Sequence, residues 1–254
     1  MIDLIVFSVA GNKYAMNIEN VRRIIESISL TNIPNSHAYI DGMMSYEDKV
    51  IKVLSFRKLI QVQPYKDELV TLFKGLKKGH AEWVEALKVS AETGATFTKT
   101  LNPHACGLGK WIDSFTAYDD HVIEILNELI EYHKQLHVTG GFVLEMYEKD
   151  KEEALRMFNI DILDIYEHTM GALDTFTHEL DLIANSLQKL IIYESEGSFF
   201  AIKVDIIEDI AHVEESALNS SVSDSEMSKF LDLEGVLDLD GVLINVIKTV
   251  KLPK

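Results

Sequence analysis

Four side chains in the middle of the 254-residue chain have the types and spacing to hold one metal ion: His80, Cys106, His133 and His137. His133 and His137 are four apart, so on a helix they project from one face and can grip the same ion. Cys106 stands 26 positions after His80 and 27 before His133. One thiolate and three neutral imidazoles suit tetrahedral zinc, with Zn–S near ~2.3 Å and Zn–N near ~2.0–2.1 Å. A lone histidine on an apolar stripe is ordinarily a core residue, and a lone buried cysteine a small hydrophobe. Three histidines converging with the only cysteine of the chain make a stronger case for a ligand set. The other histidines lack that pattern. His104 precedes Cys106 on the solvent side, His121 opens a helix, His168 and His178 have no partner at ligand spacing, and His37 and His212 fall in strand-like sequence.

The elements that must position these residues are helices. Between residues 64 and 187 apolar side chains recur at steps of three and four, which marks one buried face per helix. Leu69, Leu72, Phe73, Leu76, His80, Trp83, Val84 and Leu87 form the first stripe. Val122, Ile125, Leu126, Leu129, Ile130, His133, Leu136 and His137 form a second. Leu155, Phe158, Ile162, Ile165, Leu173, Phe176, Leu180, Ile183 and Leu187 form a third. Asn102-Pro103 reads as an N-cap and first helical residue, opening a shorter helix through about Phe115. Cys106 then falls in its first turn or so, where the positive helix end favours a thiolate. Four one-sided helices imply an antiparallel bundle.

The flanks have strand texture. Leu4–Val9 and Tyr14–Met16 read as strands around the turn Ala10-Gly11-Asn12-Lys13, a hairpin pattern. Ile18–Ile25 looks like a short amphipathic segment, and Val50–Phe56 like another strand. Strands are also expected at Lys189–Tyr193, Phe199–Val204 and Val242–Val250, with a turn over Glu194–Ser198 and a polar loop over Asn219–Ser228. The segments 1–63 and 188–254 are each short for an independent core. Insertion of residues 64–187 into a surface loop of a single β domain is therefore the simpler reading, giving an α+β chain.

Composition narrows the function. The chain carries 24 Lys and Arg against 41 Asp and Glu, a net charge of −17. Phosphate affinity comes from clustered Lys and Arg, so this balance argues against nucleic acid and against docking on anionic lipid. Residues 1–63 hold 7 basic and 6 acidic side chains, 64–187 hold 11 and 22, and 188–254 hold 6 and 13. The acidity is mostly the solvated side of the helical block. A single cysteine excludes an internal disulfide and suits a reducing compartment. Met1-Ile2-Asp3 lacks a secretory n-region and h-region, and no apolar run reaches about 18 residues. A cytoplasmic protein without membrane insertion is expected.

His80-Ala-Glu-Trp83, Cys106-Gly107-Leu108-Gly109-Lys110-Trp111 and His133-Lys-Gln-Leu-His137 together make residues 64–187 resemble the chemoreceptor zinc-binding (CZB) domain. The resemblance implies a four-helix bundle holding Zn2+ through His80, Cys106, His133 and His137, flanked by Trp83 and Trp111. It also implies sensing of zinc or an oxidant through Cys106, and bundles that pair as homodimers.

Residues 1–63 and 188–254, taken together, resemble the two parts of a CheW domain. The carriers are Leu4-Ile5-Val6-Phe7, Tyr14-Ala15-Met16, Val21-Arg22-Arg23-Ile24, Ile33-Pro34, Tyr39-Ile40-Asp41-Gly42 and Val50 through Leu59. In the second part they are Leu190-Ile191-Ile192-Tyr193, Phe199 through Asp205, Gly235-Val236 and Leu243-Ile244-Asn245-Val246. The resemblance implies two small β-barrels that couple chemoreceptors to a CheA-type histidine kinase, without catalysis, and a kinase-facing surface at Val21, Gly42 and Val50. The sequence departs from the pattern at Ser45-Tyr46-Glu47-Asp48. There the family's receptor-facing arginine falls on Glu47 and its following proline on Lys52, which puts ordinary receptor contact in doubt.

Two other readings compete. Three histidines and a water would make a hydrolytic zinc site. The lone cysteine weighs against that as a fourth ligand, and His133-Lys-Gln-Leu-His137 lacks the glutamate base of His-Glu-x-x-His proteases. Alternatively zinc is purely structural and nothing is sensed.

Overall fold

The computed structural model describes residues 1–117, 119–195, 197–220 and 231–251. The chain is α+β and divides into two compact units, Met1–Asp67 with Ala184–Lys254, and Glu68–Ile183.

Among the described residues, the first unit holds ten strands in two sheets. They are β1 (Ile2–Val9), β2 (Asn12–Asn17), β3 (Val21–Glu26), β4 (Ile40–Tyr46), β5 (Lys49–Ser55), β6 (Lys189–Ser195), β7 (Ser198–Val204), β8 (Ile206–Val213), β9 (Leu231–Leu239) and β10 (Val242–Val250). One sheet has the order β8-β1-β2-β10-β9 and the other β3-β6-β7-β5-β4. Each draws strands from both ends of the chain. β1 pairs antiparallel with β8, and β2 pairs parallel with β10 through Asn245↔Tyr14. β3 pairs antiparallel with β6, and β5 pairs parallel with β7 through Val53↔Ala201.

Both sheets curl, because their two edges contribute to a common core. Val213 of β8 and Leu237 of β9 share one cluster with Leu4, Val6 and Val246. In the other sheet Met44 of β4 and Ile25 of β3 close over Val53, Leu190 and Ile192. A third cluster draws on both sheets, with Phe7, Tyr14, Tyr193, Phe200 and Ile247 packed around Phe56. There Phe56 meets Phe7 edge-on at 5.2 Å and Tyr14 at 4.8 Å. Strands such as β1 and β6 are thus buried on both faces, which is why they read as continuous apolar runs.

A buried ion pair ties four distant segments of this unit together. Helix α1 (Phe56–Leu59) is capped by Ser55, whose hydroxyl accepts the Lys58 N–H. On it, Arg57 is 2% exposed and forks onto Asp205, which is 6% exposed. Its Nε donates to Oδ1 at 2.8 Å and its Nη2 to Oδ2 at 2.7 Å. Asp205 also accepts the Ala10 N–H at 2.9 Å and the Gln188 side-chain amide at 2.9 Å. Arg57 Nη1 donates to the Gln63 carbonyl at 2.9 Å. All three guanidinium nitrogens and both carboxylate oxygens have hydrogen-bond partners, the condition under which buried charge is tolerated.

The second unit is helical: α2 (Tyr65–Thr93), α3 (Gly107–Ser114), α4 (Asp120–Tyr147), α5 (Lys151–Met157), a π-helical turn (Phe158–Ile162), α6 (Leu163–His178) and α7 (Leu180–Leu187). α2 and α7 each run across a boundary between the units. Trp83, Leu87, Leu136, Val143, Phe158 and Ile162 form one core of this unit. Among the described residues no helix is long and apolar enough to cross a membrane.

The structure corrects several local expectations. Ile18–Ile25 is not one amphipathic segment. Asn17 caps a single 3-10 turn (Ile18–Asn20), and the chain then extends as β3, because its backbone bonds go to β6 more than 160 residues away. The third stripe is not one helix. It breaks at the π turn, whose extra residue per turn buries both Phe158 and Ile162, and again after His178. The stripe's gap between Ile165 and Leu173 is filled by buried Thr169 and Ala172. β4, β8 and β9 were not expected as strands; all three lie at sheet edges, and β8 has mostly exposed side chains. In the expected polar loop, Asn219 bridges to Val236, and residues 221–230 lie outside the described residues.

Removing Asp205 leaves the buried Arg57 charge without its partner. Asp205→Ala is expected to cost about 3–5 kcal/mol in urea unfolding. A loss below about 1 kcal/mol would show that the network is peripheral to the β unit.

Candidate metal centre

His80, Cys106, His133 and His137 come together in the helical unit, each offering one ligand atom within 4.8 Å of the others. α2 carries His80 on its buried stripe, and α4 carries His133 and His137 on consecutive turns of its own. The three imidazoles stand edge-on around one point. Ring centroids lie 5.1 Å apart for His80 and His133, 4.8 Å for His133 and His137, and 5.9 Å for His80 and His137.

Cys106 reaches them from a loop, and here the sequence reading is corrected. Asn102-Pro103 does not open a helix. Asn102 Oδ1 accepts the His104 N–H at 3.0 Å, closing a side-chain turn. α3 begins only at Gly107, with Cys106 itself in the extended N-cap position. Its sulfur accepts the Gly109 N–H at 3.2 Å, and its thiol donates to the Pro103 carbonyl at 3.3 Å. The sulfur lies 3.1 Å from His133 Nε2 and 3.9 Å from His80 Nε2. An N-cap sulfur faces the unpaired N–H groups of the helix start, which stabilise a thiolate.

Two glycines that spacing arguments passed over make this possible. A Cβ on Gly109 would stand 1.7 Å from the Pro103 carbonyl, so the loop closes over α3 only without one. A Cβ on Gly140 would stand 2.4 Å from the Trp83 ring. The doublet Gly140-Gly141 inside a long helical stripe was the available signal for the second.

Electrostatics prepare the nitrogens as lone-pair donors. Burial pushes His133 down to about 3, helped by the neighbouring charges of His80, His137 and His104. Burial also lowers His137 to about 4, with His80 adding to it and the nearby backbone at Thr100 and Leu101 pulling the other way. Burial lowers His80 too, against the bond between its Nδ1 and the Leu76 carbonyl at 2.9 Å. That bond leaves Nε2 of His80 as its ligand atom. The Cys106 thiol is raised by burial, opposed by the N–H groups of the α3 start and by Lys110. His137 supplies the test of fit: it is 1% exposed, and neither ring nitrogen has a hydrogen-bond partner of acceptable geometry. Burying such a nitrogen unpaired is costly, and a metal ion at the centre of the four donors removes the cost.

The surroundings differ from expectation at one tryptophan. The Trp83 ring lies tilted against His137, with centroids 4.9 Å apart, and donates its Nε1–H to the Thr100 carbonyl at 2.8 Å. Trp111 instead joins Phe73, Phe115 and Phe176, at 4.9, 4.7 and 5.4 Å, and its ring contacts do not reach the cluster. His104 is exposed and pairs with Asp113 at 2.9 Å, outside the four-residue group. In the β unit, Val50 is 70% exposed, whereas Val21 is half-buried against the shared core. Gly42 is buried, where a Cβ would stand 2.7 Å from the Thr31 carbonyl. Glu47 and Asp48 form the left-handed turn between β4 and β5, with Glu47 exposed.

Residues 3–75 match the family model of the CheW-like domain. The match covers β1 to β5, α1 and the start of α2, and ends before His80. The resemblance of residues 64–187 to the CZB domain has no counterpart in it. Among solved structures, the scaffolding protein TtCheW from Thermoanaerobacter tengcongensis is similar at 13% identity, with a TM-score of 0.46 over 98% of this chain and 90% of that one. No curated protein matches the chain.

The depressed imidazoles set a pH dependence. In the unfolded chain histidine protonates near pH 6.5, whereas folded His137 and His133 stay neutral down to about 4 and 3. The unfolded state binds more protons in that interval, so the metal-free fold is most stable above pH 6.5 and loses stability as pH falls through it. With chelator present, the urea midpoint of the wild type is expected to fall more steeply from pH 7 to 4.5 than that of His133→Leu/His137→Leu. Parallel profiles would contradict the assignment.

Proposed function

We propose that the protein is a chemotaxis adaptor in which one CheW-like β domain, residues 1–63 and 188–254, is interrupted by a zinc-binding helical module, residues 64–187. The β domain couples a CheA-type histidine kinase, and through it chemoreceptors, without catalysing a reaction. The helical module binds Zn2+ through His80, Cys106, His133 and His137 and senses zinc or an oxidant at Cys106. The observation that carries this reading is the place of the cluster. A complete His₃Cys donor set lies between the two segments of one β unit whose first segment matches the CheW-like family. A signal generated in the helices therefore reaches the β unit along two covalent connections, near residues 67 and 184.

Zinc bound here would hold the sulfur as a thiolate and supply no open position for chemistry. The chain's own residues do the rest. His80 is held in one tautomer by Leu76, Gly109 fixes the sulfur, and Trp83 covers His137. The fourth protein donor is what disfavours a hydrolytic centre. For partner contact Val50 is the best placed of the three expected surface residues, while Gly42 acts by making room for Thr31. Glu47, in the exposed β4–β5 turn, sets a negative charge where the family presents a positive one.

Purified chain is expected to hold about one zinc, and Cys106→Ala to lose most of it. Full retention in the variant would remove Cys106 from the ligand set. Chelation that shifts the near-UV spectrum reversibly with helicity kept supports sensing, whereas melting of the bundle means that zinc is structural. A pull-down with a chemotaxis histidine kinase is expected to recover the protein, with recovery dependent on zinc and reduced by Val50→Asp. Absence of binding in both zinc states would sink the adaptor reading.

A further inference from the structure

We propose that Cys106 is reached from solvent through a groove over α2, and that this groove admits small uncharged molecules directed at its sulfur. The inference rests on the zinc-module reading for its physiological use and on a separate cavity for its geometry. The cavity measures about 250 Å³ and is lined by Cys106 and His80 but not by His133 or His137. It therefore leads to one side of the cluster, the side that carries the sulfur. Cys106 is the one partly exposed member of the four, and the histidines are buried.

The mouth is built from missing side chains. Gly75 and Gly79, one turn apart on α2, are exposed and line the cavity. A Cβ added to either meets nothing within 4 Å, so space, not packing, lies where their side chains would project. Glycine in a helix interior is unfavourable without some such purpose. Trp83 forms a wall, and its one polar hydrogen is already taken by Thr100. Lys99 also lines the cavity, but its charge is paired with Glu82 at 3.7 Å. Apart from Lys99 the walls are mainly apolar, which favours an uncharged solute over one that must give up hydration. An apolar cavity of roughly 150 Å³ accommodates benzene, which scales to a guest of roughly ten non-hydrogen atoms here.

The test uses the full chain as purified, with bound zinc measured in parallel. Because Cys106 is the only cysteine, a peptide map that follows the adduct on its sulfur reports thiol alkylation at this one position. The sulfur displaces iodide from the reagent, a C–S bond forms, iodide leaves, and any thiol proton passes to buffer. Iodoacetamide and iodoacetate share this chemistry and differ in charge. Gly79→Leu places a larger side chain and a better helix former at the mouth, where an added Cβ meets nothing within 4 Å. Gly171→Leu, at an exposed helical glycine equally free of neighbours, is the control.

The expected result is that Gly79→Leu slows iodoacetamide about tenfold or more while Gly171→Leu leaves the rate unchanged, since access limits thiol reactivity. The wild type is expected to favour iodoacetamide over iodoacetate by more than glutathione does. Equal rates in the wild type and Gly79→Leu would overturn the route, and a preference no greater than that of glutathione would overturn the selectivity. The two readings fail separately. Zinc near one per chain with unchanged alkylation removes the groove only. Absent zinc with slowed alkylation removes the metal reading and leaves the groove.

Discussion

Neither end of this chain can satisfy its backbone hydrogen bonds alone. β1 to β5 and β6 to β10 interleave in both sheets, so each sheet closes only when residues more than a hundred positions apart meet. An unpaired strand edge in either segment would be exposed to water or to other chains. The whole helical unit must therefore leave and re-enter the β unit without disturbing those pairings. Asp205 and Arg57 stand at that requirement. Arg57 lies just before the chain departs, Asp205 just after β7, and Gln188 where the chain returns. A buried charge pair of this kind is a demanding contact. Its bonds are completed in the interleaved arrangement, where the segments carrying Ala10, Arg57, Gln188 and Asp205 meet.

The metal centre has a similar logic on a smaller scale. Its nitrogens are kept neutral by burial, and neither ring nitrogen of His137 has a hydrogen-bond partner of acceptable geometry. A metal ion at the centre would relieve the cost of burying them unpaired, which would tie the conformation of the site to occupancy. The sulfur arrives from a different kind of element, a helix N-cap, where unpaired N–H groups stabilise negative charge. Rigid helices thus aim the imidazoles, while a short turn held by Asn102 and Gly109 aims the thiol.

Much of the site was legible because helical periodicity converts spacing into direction. His80, His133 and His137 lie on apolar stripes whose burial the structure reproduces, and Leu72 is the exception in the first stripe, left exposed. The position of Cys106 was legible only to within a turn. Whether Asn102 caps a helix or closes a side-chain turn depends on where the chain is pulled next, and both start from the same residues. Trp111 matched the expected pattern in sequence, yet packs on Phe73 and Phe176, because a helix as short as α3 can face either way.

The strands divide in the same manner. Runs buried on both faces, such as β1, β6 and β7, announced themselves by continuous apolar sequence. β3 and β8, lying at sheet edges with exposed side chains, did not. By itself the sequence determined the helical stripes, the apolar strands and the donor set, since each is a property of neighbouring residues along the chain. Only the tertiary structure decided the interleaving of the sheets, the partners of Arg57, the cap at Cys106 and the glycine-lined groove beside it. Those depend on contacts between residues distant in sequence, and local pattern carries no record of which distant segment will supply the partner.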